Sequence, residues 1–90
     1  MQTSSSWSIE FTQEALDDLA WFREKDRKGY SKCFDLVLSV TQDPFSGLGK
    51  PEPLKYLGPG IWSRRVNQED RMVYLVKDMI VVASGFRFHY

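Results

Sequence analysis

The feature that most constrains this chain is an arginine-bearing segment, residues 61–76, whose sequence predicts a β-hairpin. Two runs rich in aromatic and β-branched residues flank a polar turn at residues 67–70, and such runs suit a pleated, half-buried surface. A loop with an odd number of residues would place Arg65 and Arg71 on one face, because directly opposed residues share a face. An even loop would instead group Arg65 with Met72 and separate the two arginines.

The hairpin is also where the positive charge of the chain concentrates. Residues 1–49 hold five Lys/Arg against eight Asp/Glu, whereas residues 50–90 hold seven against four, so the net charge of zero hides an asymmetry. Clustered guanidinium groups on a rigid sheet match phosphate oxygens, and charge asymmetry of this kind favours a polyanion partner. The alternative is a solvated face with scattered cations.

Length and composition predict one domain over residues 1–90. Ninety residues, 42% of them hydrophobic, are enough for a single small core. The single cysteine, Cys33, excludes an internal disulfide and fits a reducing compartment. Residues 1–6 are polar and rich in serine, so we expect a disordered lead-in. They also lack the basic and apolar regions of a signal peptide. With no apolar run near the ~20 residues of a membrane span, we expect a cytoplasmic protein that does not contact membranes.

Apolar spacing predicts one strand and two helices before the hairpin. Residues 7–11 alternate apolar and polar side chains, which indicates a strand. Thr12 is a candidate N-cap for a helix over residues 13–26, and a second helix is predicted over residues 28–42, with Gly29 near the join. One apolar stripe marks the second helix: Tyr30, Cys33, Leu36, Val37 and Val40. On this stripe Cys33 is expected to be a buried small hydrophobe rather than a nucleophile.

The remainder of the chain presents polar groups from a stiff loop and a final strand. Residues 44–60 contain all four prolines, and a proline on each side of Glu52 restricts the loop that presents it. A last strand over residues 79–88 would place Arg87 and His89 on one face. Phe86 and Phe88 would then share the other face. The alternative for the loop around Glu52 is a surface turn whose charges have no function. The alternative for His89 is a solvent-exposed histidine without a function. One His and one Cys do not supply a zinc site, and we expect no cofactor.

Together these groups suit RNA cleavage without a metal. The ribose 2′-hydroxyl must lose a proton as it attacks the adjacent phosphate, and the leaving 5′-oxygen must gain one. Glu52 would be the base and His89 the acid, while Arg65 and Arg71 would stabilise charge that develops on the phosphate. Tyr90 would stack on a base or orient the phosphate.

The ordered motifs resemble those of the YoeB/Txe toxins of the RelE/ParE superfamily, over nearly the whole chain from Trp7. They are Pro44-Phe45-Ser46-Gly47-Leu48-Gly49-Lys50-Pro51-Glu52-Pro53-Leu54-Lys55, Trp62-Ser63-Arg64-Arg65, Asp70-Arg71-Met72-Val73-Tyr74 and Phe88-His89-Tyr90. The resemblance implies an α+β fold with two N-terminal helices packed on a twisted antiparallel β-sheet, in the order β-α-α-β-β-β. It also implies an endoribonuclease that cuts messenger RNA in the ribosomal A site and stops translation.

The resemblance further implies roles and partners. Glu52 corresponds to the general base, His89 to the general acid, Arg65 and Arg71 to phosphate-binding residues, and Tyr90 to the catalytic terminal tyrosine. We expect RNA contacts from Lys50, Lys55, Arg64 and Arg87. The expected partners are a YefM/Phd-like antitoxin, the 70S ribosome with its mRNA, operator DNA only through the toxin–antitoxin complex, and a second copy in a homodimer.

Two other functions share this fold. One is a ParE-like inhibitor that binds DNA gyrase without chemistry, and the other is a non-enzymatic RNA-binding or antitoxin-sequestering module. A pure binder has no need for the set of Glu52, Arg71, His89 and Tyr90, so the sequence favours the endoribonuclease.

Overall fold

Two helices cover one face of a five-stranded sheet in the computed structural model, which describes residues 7–89. The elements are β1 (Ser8–Phe11), α1 (Gln13–Lys25), α2 (Arg27–Gln42), β2 (Glu52–Pro53), a 3₁₀ turn (Lys55–Leu57), β3 (Ile61–Arg65), β4 (Arg71–Lys77) and β5 (Ile80–Phe88). The sheet order is β1-β5-β4-β3-β2, antiparallel except for the parallel β1–β5 pair. The predicted α+β architecture is confirmed. The predicted lead-in, residues 1–6, and Tyr90 lie outside the described residues.

Side-chain caps explain where the helices begin. The Thr12 hydroxyl accepts a hydrogen bond from the Ala15 amide at 3.1 Å, as predicted for an N-cap. Asp26 caps α2 by accepting from the Gly29 amide at 2.9 Å. Gly29 therefore lies inside the first turn of α2 rather than at the join. A Cβ there would lie 2.8 Å from the Phe22 ring, so glycine permits the close packing of the two helices.

The core lies between the helices and the sheet. It includes Cys33, Leu36 and Val40 from the predicted stripe of α2, all fully buried. Burial raises the pKa of the Cys33 thiol to about 12, which keeps the sulfur protonated and inert and confirms it as a small hydrophobe. Leu16, at helical spacing with the apolar residues of α1, is instead 46% exposed.

The arginine hairpin has an odd number of loop residues, which is one of the two alternatives that the sequence allows. Residues 66–70 connect β3 to β4, and Arg65 lies directly opposite Arg71. The Asn67 side-chain oxygen accepts the backbone N–H groups of Glu69 at 2.8 Å and Asp70 at 2.7 Å, an arrangement that stabilises a turn locally. Both arginines therefore lie on the sheet face opposite the helices, because their neighbour Met72 is buried in the core.

The last strand does not alternate regularly. The register of β5 with β4 shifts between Val73 and Tyr74 and again between Arg71 and Val73, because β5 carries an extra residue at each point. Phe86 is consequently buried and stacked on Phe11, whereas Phe88 lies opposite Arg71. The prediction that Phe86 and Phe88 share a face is wrong for this reason. Within the described part of the chain, no helix has the length and apolar character needed to cross a membrane.

Candidate active site

The sheet face opposite the helices gathers three of the predicted catalytic side chains. Arg65 and Arg71 are directly opposed, and Glu52 pairs with Ser63, two residues before Arg65 on β3. Residues two apart on a strand share a face, so Glu52 joins the arginines. The sequence predicts a loop at Glu52, whereas the structure places this residue on the short edge strand β2.

Backbone contacts fix that short strand. The Arg65 amide donates to the Gly49 carbonyl at 2.7 Å, and the Leu54 amide donates to the Ile61 carbonyl at 2.8 Å. Gly49 and Lys50 both have positive φ, +86° and +53°, which turns the chain onto the edge of the sheet. Main-chain hydrogen bonds before and after Glu52 in the sequence thereby fix its position.

Glu52 and Arg71 form an ion pair. The Glu52 Oε1 atom lies 3.4 Å from Arg71 Nη1, with the side chains 50% and 15% exposed. An ion pair this open to water contributes little to stability. The carboxylate remains accessible, and the less exposed guanidinium lies beside it.

His89 contacts the hairpin loop through its imidazole. Its Nε2 atom lies 2.7 Å from Asp70 Oδ1, and a shallow pocket of about 370 Å³ beside it is lined by Gln68, Glu69, Arg71 and His89. The structure therefore brings His89 next to Arg71, which in turn contacts Glu52. Asp70 is a residue that sequence reasoning missed, since neither its place in the polar turn nor the motif that begins with it shows that its carboxylate contacts His89.

Arg64 does not belong to the site. It is completely buried, and its side chain donates to the Tyr74 hydroxyl, the Ser39 hydroxyl and three main-chain carbonyls of the segment after α2. Those carbonyls belong to Asp43, Ser46 and Leu48. All five N–H donors of a guanidinium are thus used. The prediction that Arg64 contacts RNA is wrong, because β3 directs this side chain into the core and its neighbour outward.

Two groups near Arg64, the Tyr74 phenol and the Asp43 carboxyl, have pKa values that differ from their usual values. Burial raises the pKa of the Tyr74 phenol, whose hydroxyl donates to the Pro44 carbonyl at 2.7 Å. A hydrogen bond from the Phe45 amide, followed by one from the Ser46 hydroxyl, lowers the pKa of the Asp43 carboxyl. Both groups anchor the segment that leads towards Glu52.

The other predicted RNA contacts have different surroundings. Lys50 lines a pocket of about 360 Å³ together with Lys32 and Arg65, and Lys55 is exposed at the start of the 3₁₀ turn. The Arg87 guanidinium lies over the Trp21 ring of α1, 3.7 Å from its centroid, so it contacts a different element from His89. Lys32 was not predicted, because it lies in the acidic half of the sequence. Within residues 7–89, no group of three or more His, Cys, Asp or Glu side chains could hold a metal ion.

Comparison with known proteins assigns the family. Residues 11–90 match the model of the YoeB-like toxin of bacterial type II toxin–antitoxin systems. The chain is 43% identical over 82 residues to Toxin YoeB of Synechocystis sp., which covers 91% of this chain and 95% of that protein. The chain therefore belongs to the YoeB-like toxin family.

Solved structures agree with this assignment. A YoeB/ParE toxin from Agrobacterium tumefaciens superposes with a TM-score of 0.85 at 38% identity, covering 92% of this chain and 99% of that chain. A YoeB dimer from Staphylococcus aureus superposes with a TM-score of 0.84 at 35% identity, covering 93% and 98%. The heterotetrameric YoeB–YefM toxin–antitoxin complex from that organism gives 0.79 at 36% identity, with the same coverage.

Proposed function

We propose that this chain is a ribosome-dependent endoribonuclease that cuts messenger RNA in the A site and inhibits translation. The observation that carries the proposal is that Glu52 forms an ion pair with Arg71, that Arg71 and His89 line one pocket, and that Arg65 lies directly opposite Arg71. A carboxylate, two guanidinium groups and an imidazole are the groups that metal-free cleavage by 2′-hydroxyl attack requires.

In this proposal each group has one task. Glu52 takes the proton of the 2′-hydroxyl, and His89 gives a proton to the leaving 5′-oxygen, which yields a 2′,3′-cyclic phosphate. Arg65 and Arg71 stabilise the charge on the non-bridging phosphate oxygens, which is usually the largest catalytic contribution. Tyr90 completes the site as a stacking or phosphate-orienting residue. Lys50, Lys55 and Arg87 contact the RNA around it.

The partners follow from the relatives. We propose a YefM/Phd-like antitoxin, since the Staphylococcus aureus relative was solved in a YoeB–YefM complex. A homodimer is proposed because the relative from that organism was also solved as a dimer. Contact with operator DNA would occur only through the toxin–antitoxin complex. The site of action would be the cytoplasm, where the 70S ribosome and mRNA are found.

The decisive experiment is primer extension on a defined messenger in a purified translation system, with and without ribosomes. The wild type should produce ribosome-dependent breaks at A-site codons, and His89→Gln should reduce cleavage by 10²-fold or more, the usual contribution of a general acid. Ribosome binding should be retained, because glutamine keeps most of the shape of the side chain. Cleavage within a few-fold of wild type would refute the acid role. Inhibition of DNA gyrase without any breaks would assign the chain to the ParE-like class.

A further inference from the structure

The Asp70 carboxylate holds the His89 imidazole. Asp70 Oδ1 lies 2.7 Å from His89 Nε2, and the Asp70 side chain is 10% exposed whereas the imidazole is 59% exposed. We infer that Asp70 is a positioning residue that fixes the ring with Nε2 towards the hairpin loop, so that Nδ1 is the nitrogen that transfers the proton. This inference rests on the acid role proposed for His89.

Asp70 is itself held in one orientation by Asn67. The Asn67 side-chain oxygen already accepts two backbone N–H groups, from Glu69 and from Asp70, so its NH₂ group must point the other way. That NH₂ group donates to Asp70 Oδ2 at 3.0 Å. The Asp70 carbonyl accepts from the Val66 amide at 2.9 Å. One carboxylate oxygen is therefore occupied by a donor, and the other is directed at His89.

The geometry defines the tautomer of the neutral ring. An ionised carboxylate only accepts hydrogen bonds, so the nitrogen that faces it, Nε2, carries a proton. In the imidazolium both nitrogens are protonated, and the Nδ1 proton is the one available for the substrate. When the phosphorus–5′-oxygen bond breaks, Nδ1 gives its proton to that oxygen and Glu52 keeps the 2′ proton. The ring is left as the neutral Nε2–H tautomer, the form that Asp70 stabilises.

Other charged groups lie near the imidazole ring, and a substitution of Asp70 leaves them unchanged. Glu69 and Arg71 line the pocket on one side of His89. Asp18 and Arg87 line a second pocket that His89 also borders. Asp70 contacts the imidazole directly, with its Oδ1 atom 2.7 Å from Nε2.

Replacing Asp70 by asparagine would reverse the preference of the neutral imidazole for the Nε2–H tautomer, and would not merely remove it. The NH₂ group of Asn67 needs an acceptor, so the new amide would turn its oxygen towards Asn67 and its own NH₂ towards His89. A donor facing Nε2 requires that nitrogen to accept, which moves the proton of the neutral ring to Nδ1. A histidine held in the wrong tautomer loses most of its catalytic contribution.

The test is ¹⁵N NMR of the imidazole, which is unambiguous because His89 is the only histidine of the chain. At a pH where titration of the same resonances shows the ring to be neutral, the wild type should carry its proton on Nε2 and Asp70→Asn on Nδ1. Asp70→Asn should also lower the cleavage rate on programmed ribosomes by about 10²-fold or more, with unchanged ribosome affinity.

A matched control makes the same chemical change at a distant carboxylate. Asp78 is exposed in the turn before β5, at the opposite end of that strand from His89, and has a φ of +53°, which asparagine tolerates. Asp78→Asn should keep the wild-type tautomer and cleavage rate.

The outcomes separate this inference from the proposed function. A wild-type ring protonated on Nδ1 overturns the inference, and this measurement decides even if Asp70→Asn does not fold. Cleavage by Asp70→Asn at the wild-type rate with a reversed tautomer also overturns it. A wild-type protein that has the Nε2–H tautomer but cuts no RNA overturns the proposed function instead.

Discussion

Two adjacent arginines of identical chemistry have different surroundings, because neighbours on a strand point to opposite faces. Arg64 is fully buried and donates five hydrogen bonds, whereas Arg65 is exposed on the face that carries Glu52. The sequence left open whether Arg65 shares a face with Arg71, and the odd loop of the hairpin places both on one face. It did not reveal that Arg64 would be buried, since nothing in a single arginine's sequence context shows that five acceptors will converge on it.

Replacing Arg64 by alanine should therefore affect stability, whereas replacing Arg65 by alanine should affect cleavage. Arg64→Ala removes the donor to three carbonyls and to the Tyr74 hydroxyl, and one of two donors to the Ser39 hydroxyl, so we expect a loss of unfolding free energy of about 3 kcal/mol or more. Arg65→Ala should change stability by less than about 0.5 kcal/mol but reduce cleavage strongly. Urea unfolding and single-turnover cleavage per folded molecule would measure both. Equal stability of the two variants would contradict the structural role of Arg64.

At the scale of elements, the sequence specified the regular parts well and the irregular parts poorly. The side-chain pattern located both helices and four of the five strands of the sheet, and the Thr12 cap was predicted from its residue type. Strand β2 was not predicted, because its pairing with β3 is a long-range contact and its local composition favours turns. The two register shifts of β5 were missed for a similar reason: a bulge is set by the partner strand, and the sequence of β5 alone does not mark it.

The turn that delivers β2 to the sheet gives a prediction at this scale. Gly49 has a φ of +86°, and a Cβ there would lie 2.7 Å from Leu36 Cδ2 and 3.1 Å from the Arg65 carbonyl. Gly49→Ala should lower the unfolding free energy by about 1–2 kcal/mol and also reduce cleavage, because the strand that holds Glu52 must move.

The control for this variant is Lys50→Asn at the next position. Lys50 has a φ of +53°, and asparagine tolerates the left-handed region, so stability should stay near that of wild type. Thermal unfolding of the two variants would compare them directly. A Gly49→Ala protein as stable as Lys50→Asn would show that the turn can relax without cost.

For the whole molecule, the sequence separates an acidic first half from a basic second half, but the folded protein does not keep their charges apart. Lys32, from the acidic half, lines one pocket with Lys50 and Arg65. Lys77, from the basic half, lies at the end of β4 far along the strand from Arg71. The cationic surface near the candidate site therefore includes a residue of α2 as well as residues of the sheet. A count of charges along the sequence does not reveal this arrangement.

This difference predicts how each lysine affects RNA binding. With a short 2′-O-methyl RNA that lacks the attacking hydroxyl, Lys32→Gln should weaken binding and lower the slope of log affinity against log salt concentration by about 0.7, the value for one phosphate contact on a single strand. Lys77→Gln should change neither quantity. Fluorescence anisotropy at several salt concentrations measures both. If the two variants behaved alike, only the overall charge would matter, and the pocket formed by Lys32, Lys50 and Arg65 would have no specific part in holding the RNA backbone.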